Sequence, residues 1–214
     1  MKYGESLFDI LYLLTTIILG IKILSKSNNK LSRMMGISIL ILGIGDAFHL
    51  IPRILNYFIN NDFSIYLGMG KLITSITMTV FYIMMYYIYL NNYKVRENET
   101  ITKSIWILAI IRMILCLFPQ NGWITNDNSL IWGVLRNIPF VIIGIIMIVL
   151  FYNKKEKDSY FKNIWLYIAL SYIFYIIVVV GAPSISILGM FMLPKTICYI
   201  LIMISFYKKW KTMK

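Results

Sequence analysis

The sequence predicts an all-α, polytopic membrane bundle of seven transmembrane helices, with its N-terminus outside and its C-terminus in the cytoplasm. Three observations predict it. Of the 214 residues, 59% are hydrophobic and 14% are charged, against about 45–50% and about 25% in soluble domains. Apolar runs long enough to cross a hydrocarbon core, which takes roughly 17–25 residues each, recur along the whole chain. The Lys and Arg residues between these runs fall at alternate ends of the implied bundle.

Taken in order, the runs lie near residues 5–24, 35–58, 65–90, 104–119, 130–152, 162–181 and 186–207. The first follows a stretch, Met1 to Ser6, with one Lys and one Glu. No small-residue cleavage site follows it, so it reads as a retained helix and not as a signal peptide. The fourth is the shortest, and Pro119 closes it. Each must be helical, because backbone polar groups in lipid have to be satisfied within the segment, and no alternating barrel pattern is present. The seven runs make one transmembrane domain, 1–214, with no linker, low-complexity tract or convincing internal repeat.

Loop charge sets the direction. Lys22, Lys26, Lys30 and Arg33 occupy the first loop, and Lys94, Arg96 and Lys103 the third. Lys154, Lys155, Lys157 and Lys162 occupy the fifth, and Lys208, Lys209, Lys211 and Lys214 the tail. The opposite end has Lys2 alone. Basic loops stay cytoplasmic, so this asymmetry places the N-terminus outside. Tyr3, Tyr66, Trp123 and Trp132 are expected as outer-interface anchors, with Tyr207 and Trp210 as inner ones. The net charge of +12 is therefore an orientation signal, not a nucleic-acid footprint. Abundant Ile, Lys, Asn and Tyr suggest an AT-rich genome, and the expected location is a bacterial or archaeal cell membrane. Cys116 and Cys198 fall inside apolar segments, where packing is their ordinary role and no disulfide framework is implied.

Five basic residues remain inside the spans: Arg53, Lys71, Arg112, Arg136 and Lys195, joined by Asp9, Asp46 and His49. An ionisable group within the bilayer is costly unless paired or hydrated, which makes it a functional-site candidate. Lys71, Arg112 and Arg136 each lie five or six residues from the outer end of their helix, roughly 8–9 Å deep at the helical rise. Asp46 and His49 are deepest. Six helices thus contribute to one polar layer in the outer half, over an inner half that reads as largely aliphatic. Spacing also aligns Asp46, His49 and Arg53 on one stripe, and Lys71, Thr74, Ser75 and Tyr82 on another. Tyr167, Ser171 and Tyr175 align on the sixth helix, and Lys195 lies one turn from Tyr199. Pro52, Pro119, Pro139 and Pro194 stand beside these groups, and the carbonyls they free can accept from a neighbouring Lys or Arg.

The charges in this layer sum to a positive excess that ion pairing cannot remove, so the remainder calls for water, an anion or both. The expected ligand is an anionic amphiphile, held through phosphate or carboxylate by Arg112 and Arg136 as forked donors. His49, Arg53, Lys71, Asn137, Lys195 and Tyr199 complete the expected substrate-binding set. Each Lys or Arg has a second reading as an interfacial anchor that snorkels outward. Asp46 can equally be the structural partner of an arginine. A lone His49 does not make a metal site, and neither metal nor cofactor is expected. Asn98-Glu99-Thr100 matches a glycosylation triplet, but on the cytoplasmic side.

The stretch Gly45-Asp46-Ala47-Phe48-His49-Leu50-Ile51-Pro52-Arg53 resembles a Gly-Asp…Leu-Pro-Arg segment of the bacterial lysoplasmalogenase-like (YhhN) membrane family. Tyr66-Leu67-Gly68-Met69-Gly70-Lys71, opening an apolar helix, is similar in placement, and the likeness covers about 40 of the 214 residues. It implies hydrolysis of the vinyl ether of a lysoplasmalogen, releasing an aldehyde and a glycerophospho-base, with Asp46 as the matched acidic position. A carboxyl group within an apolar layer can deliver the proton that such chemistry needs. The competing expectation is a non-enzymatic transporter or receptor for a small organic anion. Against a carrier, Pro119-Gln120 is a single Pro-Gln copy. A retinal-binding reading of Lys195 fails because the third helix has no carboxylate and position 191 is Phe.

Overall fold

Seven helices carry the chain back and forth, and each is long and apolar enough to cross a membrane. The structure, a computed structural model, describes residues 2–126 and 129–213. The helices are α1 (Lys2–Ser25), α2 (Lys30–Phe58), α3 (Ser64–Tyr93), α4 (Glu99–Leu117), α5 (Leu130–Asn153), α6 (Ile164–Gly181) and α7 (Met192–Lys211). Among the described residues there is no strand. Each helix packs on its neighbours in sequence, α7 returns to α1, and α3 also reaches across to α5. The result is a ring with α3 drawn toward its middle.

Local chemistry explains most boundaries. Asn29 caps α2 by accepting from the Ser32 amide at 2.8 Å, and Asn98 caps α4 by accepting from that of Ile101 at 3.2 Å. Such side-chain acceptors satisfy amides that a helix start leaves unpaired. Asn98 of the glycosylation triplet is therefore a helix cap. The start of the seventh helix differs from the expected residue 186. Ser186–Phe191 form a 3-10 segment and the α-helix begins at Met192. Pro194 stands in the first turn of this helix, where its missing N–H costs no helical hydrogen bond.

Outward faces are apolar, with Leu11, Ile18, Ile107, Ile114, Ile145 and Ile173 all exposed. In water such a surface would aggregate; facing lipid, it costs nothing. The interior of the half away from the N-terminus is more aromatic than the largely aliphatic filling expected, in which the tyrosines of the third helix were the aromatic exceptions. Tyr82, Tyr86 and Tyr89 descend one face of α3 and meet Phe140 and Phe151 of α5, Tyr172 of α6 and Tyr199 and Phe206 of α7, all buried. Many of the ring pairs are edge-on, including Tyr82 on Phe140 and on Tyr172. Two expected interface anchors are also corrected: Trp123 and Trp210 are buried, at 6% and 2% exposure. Trp123 lies in a loop that folds inward over α3, and Trp210 packs beneath Tyr207. Tyr3 and Tyr66 are exposed.

A polar clasp holds the end at which α7 finishes. Asp158, in the α5–α6 connection, takes Lys209 of α7 at 2.8 Å and Asn92 of α3 at 2.9 Å, and receives the Tyr160 amide at 3.0 Å. Burial pushes its pKa up, but Lys209, Asn92 and the amide outweigh burial and hold the carboxyl below its ordinary pKa. A depressed carboxylate stabilises the fold above the unfolded value, near 3.9, and that contribution vanishes as pH falls through the folded value. Thermal unfolding in detergent is expected to show this acid loss in the wild type. Asp158→Asn should destabilise by about 1–3 kcal/mol at neutral pH and flatten the profile below pH 5.

Candidate functional site

The connection between α4 and α5 builds one wall. Pro119 cannot donate to the Leu115 carbonyl four residues back. The Asn121 amide replaces it, donating to Leu115 O at 2.8 Å and to Phe118 O at 2.9 Å. The Trp123 indole N–H donates to Cys116 O at 2.7 Å, so the helix end is sealed by side chains. The Asn121 carbonyl oxygen is then free to accept from Arg136 Nη1 at 2.6 Å, and the Arg136 guanidinium lies over the Trp123 ring, 4.4 Å from its centre. Gly68 of α3 makes room for this loop, since a Cβ there would collide with the Trp123 carbonyl. Gly70 does the same for α2, whose Phe48 carbonyl, freed by Pro52, occupies the space of its absent side chain. The carbonyl freed by Pro119 thus serves an asparagine, where an arginine or lysine was expected.

Inside lies a cavity of about 560 Å³ at the N-terminal end of the bundle. Every helix except α1 reaches it. Its charged wall is Lys71 of α3, Arg112 of α4, Arg136 of α5 and Lys195 of α7, with His49 of α2 beside them. Thr74, Ser75 and Tyr175 add hydroxyl groups, and Phe140 forms part of the base. Lys71 donates to Asn126 at 2.7 Å. Lys195 sits over the rings of Tyr175 and Tyr199, at 5.0 and 5.5 Å. Among the described residues, no carboxylate lines the cavity.

Arg112 is the most telling member. It is 1% exposed, its Nε and Nη1 have no hydrogen-bond partner, and no carboxylate lies within ion-pair reach among the described residues. Its guanidinium carbon lies over Phe140, 3.3 Å from the ring centre. A desolvated cation–π contact contributes about 2 kcal/mol, whereas an uncompensated buried charge costs several kcal/mol. The ring offsets part of the cost and leaves the rest to whatever enters the cavity.

Other expected site residues stand elsewhere. Arg53 turns toward α1, pairing with Asp9 at 2.7 Å and Glu5 at 3.2 Å, with Tyr57 closing the group by donating to Glu5 at 3.0 Å. Asp46 accepts from Tyr12 of α1 at 2.6 Å and does not reach the cavity wall; it acts on Lys195 through space from behind. The stripe Asp46, His49 and Arg53 is therefore split, His49 facing the cavity and the other two the α1–α2 seam. A helix stripe spans enough of the circumference for this, and the two carboxylates of α1 draw Arg53 to their side. Tyr199 lies under the cavity, its hydroxyl 3.3 Å from that of Tyr82. Asn137 is occupied, donating to Gly133 O at 2.7 Å and accepting from Tyr175 at 2.8 Å. Glu5, Tyr12, Asn121 and Asn126 were not anticipated. Only the Pro119–Asn121–Gly122 run, a turn signal, pointed toward any of them.

Comparison with family models, with curated proteins and with solved structures finds no match for this chain. The geometry carries the argument alone. Asn121→Ala removes a fully buried side chain that serves two helix-end carbonyls and Arg136 at once. It is expected to lower stability by about 1–3 kcal/mol, read from thermal unfolding in detergent, and to red-shift Trp123 emission as the loop opens to water. An unchanged spectrum and melting point would contradict the role given to this loop.

Proposed function

We propose that the protein binds an anionic amphiphile, its phosphate or carboxylate head seated among Arg112, Arg136, Lys71 and Lys195. The observation that carries this reading is the buried Arg112, whose guanidinium meets no carboxylate among the described residues. A forked guanidinium is matched by an oxyanion, which can take two parallel hydrogen bonds. Arg136, held by a neutral asparagine, keeps its full charge for the same guest. The loop charges favour a cavity that opens to the outside, with basic loops in the cytoplasm. The aromatic layer of Tyr82, Tyr172, Tyr199 and Phe140 beneath the site favours a closed-ended receptor site over a conduit.

The test is a binding titration. Purified protein in an uncharged detergent is mixed with dodecyl phosphate, and tryptophan fluorescence is followed. Saturable binding is expected, and Arg112→Gln should weaken it at least tenfold, since a charge-assisted hydrogen bond contributes about 1.5–3 kcal/mol. Gly133→Leu offers a second arm that does not disturb charge. A Cβ at Gly133 meets nothing within 4 Å, so the added side chain fills the cavity while the helix gains propensity. Loss of binding with retained melting temperature supports the site. Equal binding by both variants overturns it.

A second reading adds hydrolysis, which the resemblance to the lysoplasmalogenase-like family suggests and one observation favours: His49 lines the cavity with Nδ1 unpartnered. In vinyl-ether hydrolysis a proton is delivered to the outer alkene carbon. Water then adds to the carbon bonded to oxygen, and the hemiacetal divides into aldehyde and alcohol. We assign that proton to His49, the imidazole on the cavity wall. Lysoplasmalogen given to the purified protein should release free aldehyde, with His49→Gln abolishing release. Loss in Asp46→Asn instead would return the acid role to the carboxyl, and no aldehyde from the wild type would end this reading.

A further inference from the structure

The geometry points to a side entrance: the hydrocarbon chain of the bound amphiphile lies in a membrane-facing groove between α5 and α6, and the Asn137–Tyr175 hydrogen bond forms the threshold between that groove and the cationic cavity. This inference rests on the reading of the cavity as an anionic head-group site.

The groove measures about 250 Å³ and is lined by Val134, Ile138 and Ile142 of α5 and by Ile176, Val179 and Val180 of α6, almost wholly apolar. Ile138, Ile176 and Val180 are exposed on the outer, lipid-facing side of the bundle. It adjoins the cavity, with Tyr175 and Val179 as the shared wall between them. One side of this pair of residues is therefore hydrocarbon-compatible, and the other carries Arg112, Arg136 and Lys195. A molecule that satisfies both sides has an anionic head and one alkyl chain, joined at about the level of Tyr175. An ordinary boundary lipid can fill the groove, but its head group would have to leave the bilayer surface to meet the cations.

The threshold is built for opening. The Tyr175 hydroxyl donates across the helix pair to the Asn137 carbonyl oxygen at 2.8 Å, and Asn137 in turn is fixed to the Gly133 carbonyl. Among the described residues no other side-chain hydrogen bond joins α5 and α6 near this level; the next, Tyr172 to Phe140 O at 3.0 Å, lies a turn deeper. Breaking one hydrogen bond and turning one ring frees the passage. Asn137 then acts as a positioning residue for the gate and not as a ligand contact, since its oxygen and one amide hydrogen are already taken.

Chain-length dependence tests this directly. Butyl phosphate and dodecyl phosphate are titrated in parallel against wild type, Ile176→Trp and Arg112→Gln in the same uncharged detergent. The side groove predicts that Ile176→Trp, a lipid-facing change that fills the groove, weakens dodecyl phosphate at least tenfold and leaves butyl phosphate unchanged. Unaltered dodecyl phosphate affinity in Ile176→Trp overturns the groove but leaves the cavity standing. Equal binding of both probes by Arg112→Gln overturns the cavity itself, so the two failures are distinguishable. A dodecyl phosphate carrying a diazirine at mid-chain supplies an independent reading. Its photolabel should fall on residues 134–142 and 176–180 and be suppressed by excess dodecyl phosphate. Labelling that is spread over the outer faces of all helices, or that excess probe fails to suppress, counts against the inference.

Discussion

A guanidinium set over a phenyl ring, deep in an apolar bundle and, among the described residues, without an acid to meet it, is the constraint around which this structure is arranged. Arg112 could have been neutralised: the chain has carboxylates in the same half of the membrane. Instead Glu5 and Asp9 converge on Arg53, and Asp46 is held by Tyr12. Among the described residues, the carboxylates of this half are gathered with Arg53 at the α1–α2 seam and the other four cations around the cavity, with α2 as the partition. Folding alone would favour mixing these charges, since pairing within a low-dielectric interior recovers part of the desolvation cost. Their separation is a feature that makes sense when a guest supplies the missing charge.

The scaffold that maintains this separation is rigid where it needs to be. The α4–α5 loop is tied by Asn121 and Trp123 to the end of α4, wedged over Gly68, and thereby fixes Arg136 in place. Below, interlocking aromatic rings close the bundle. At the far end Asp158 joins α3, α7 and the α5–α6 connection. The α5–α6 seam beside the cavity is the contrast: one cross-helix hydrogen bond, small and branched aliphatic side chains, and a groove open to lipid. With rigidity on three sides and a single latch on the fourth, the α5–α6 seam is the side from which the proposed guest would enter.

How much of this was legible in the sequence follows from what each signal encodes. Helix number was legible because hydrocarbon thickness imposes a length on every apolar run. The residues Lys71, Arg112, Arg136 and Lys195 stood out because charge within such runs is rare, and the structure places all four on one cavity wall. Rotation about a helix axis was less legible. Spacing puts Asp46, His49 and Arg53 within one stripe, but it cannot say where a neighbouring helix divides that stripe. That division depends on Asp9 and Tyr12, residues far away in sequence. Trp123 misled for a similar reason: an indole near a span end usually marks the interface, and here a loop folded over a glycine carries it inside. The filling beneath the cavity was underestimated because tyrosines on α3, α6 and α7 look unremarkable one helix at a time.

The central claim is that the cationic cavity is occupied by a negatively charged amphiphile in the membrane. Lipid extracted from protein purified in a mild uncharged detergent, and analysed by mass spectrometry, tests it most directly. The account predicts near-stoichiometric enrichment of an anionic single-chain species with the wild type and its disappearance with Arg112→Gln. A lipid profile identical to that of the bulk membrane, unchanged by the substitution, would contradict it.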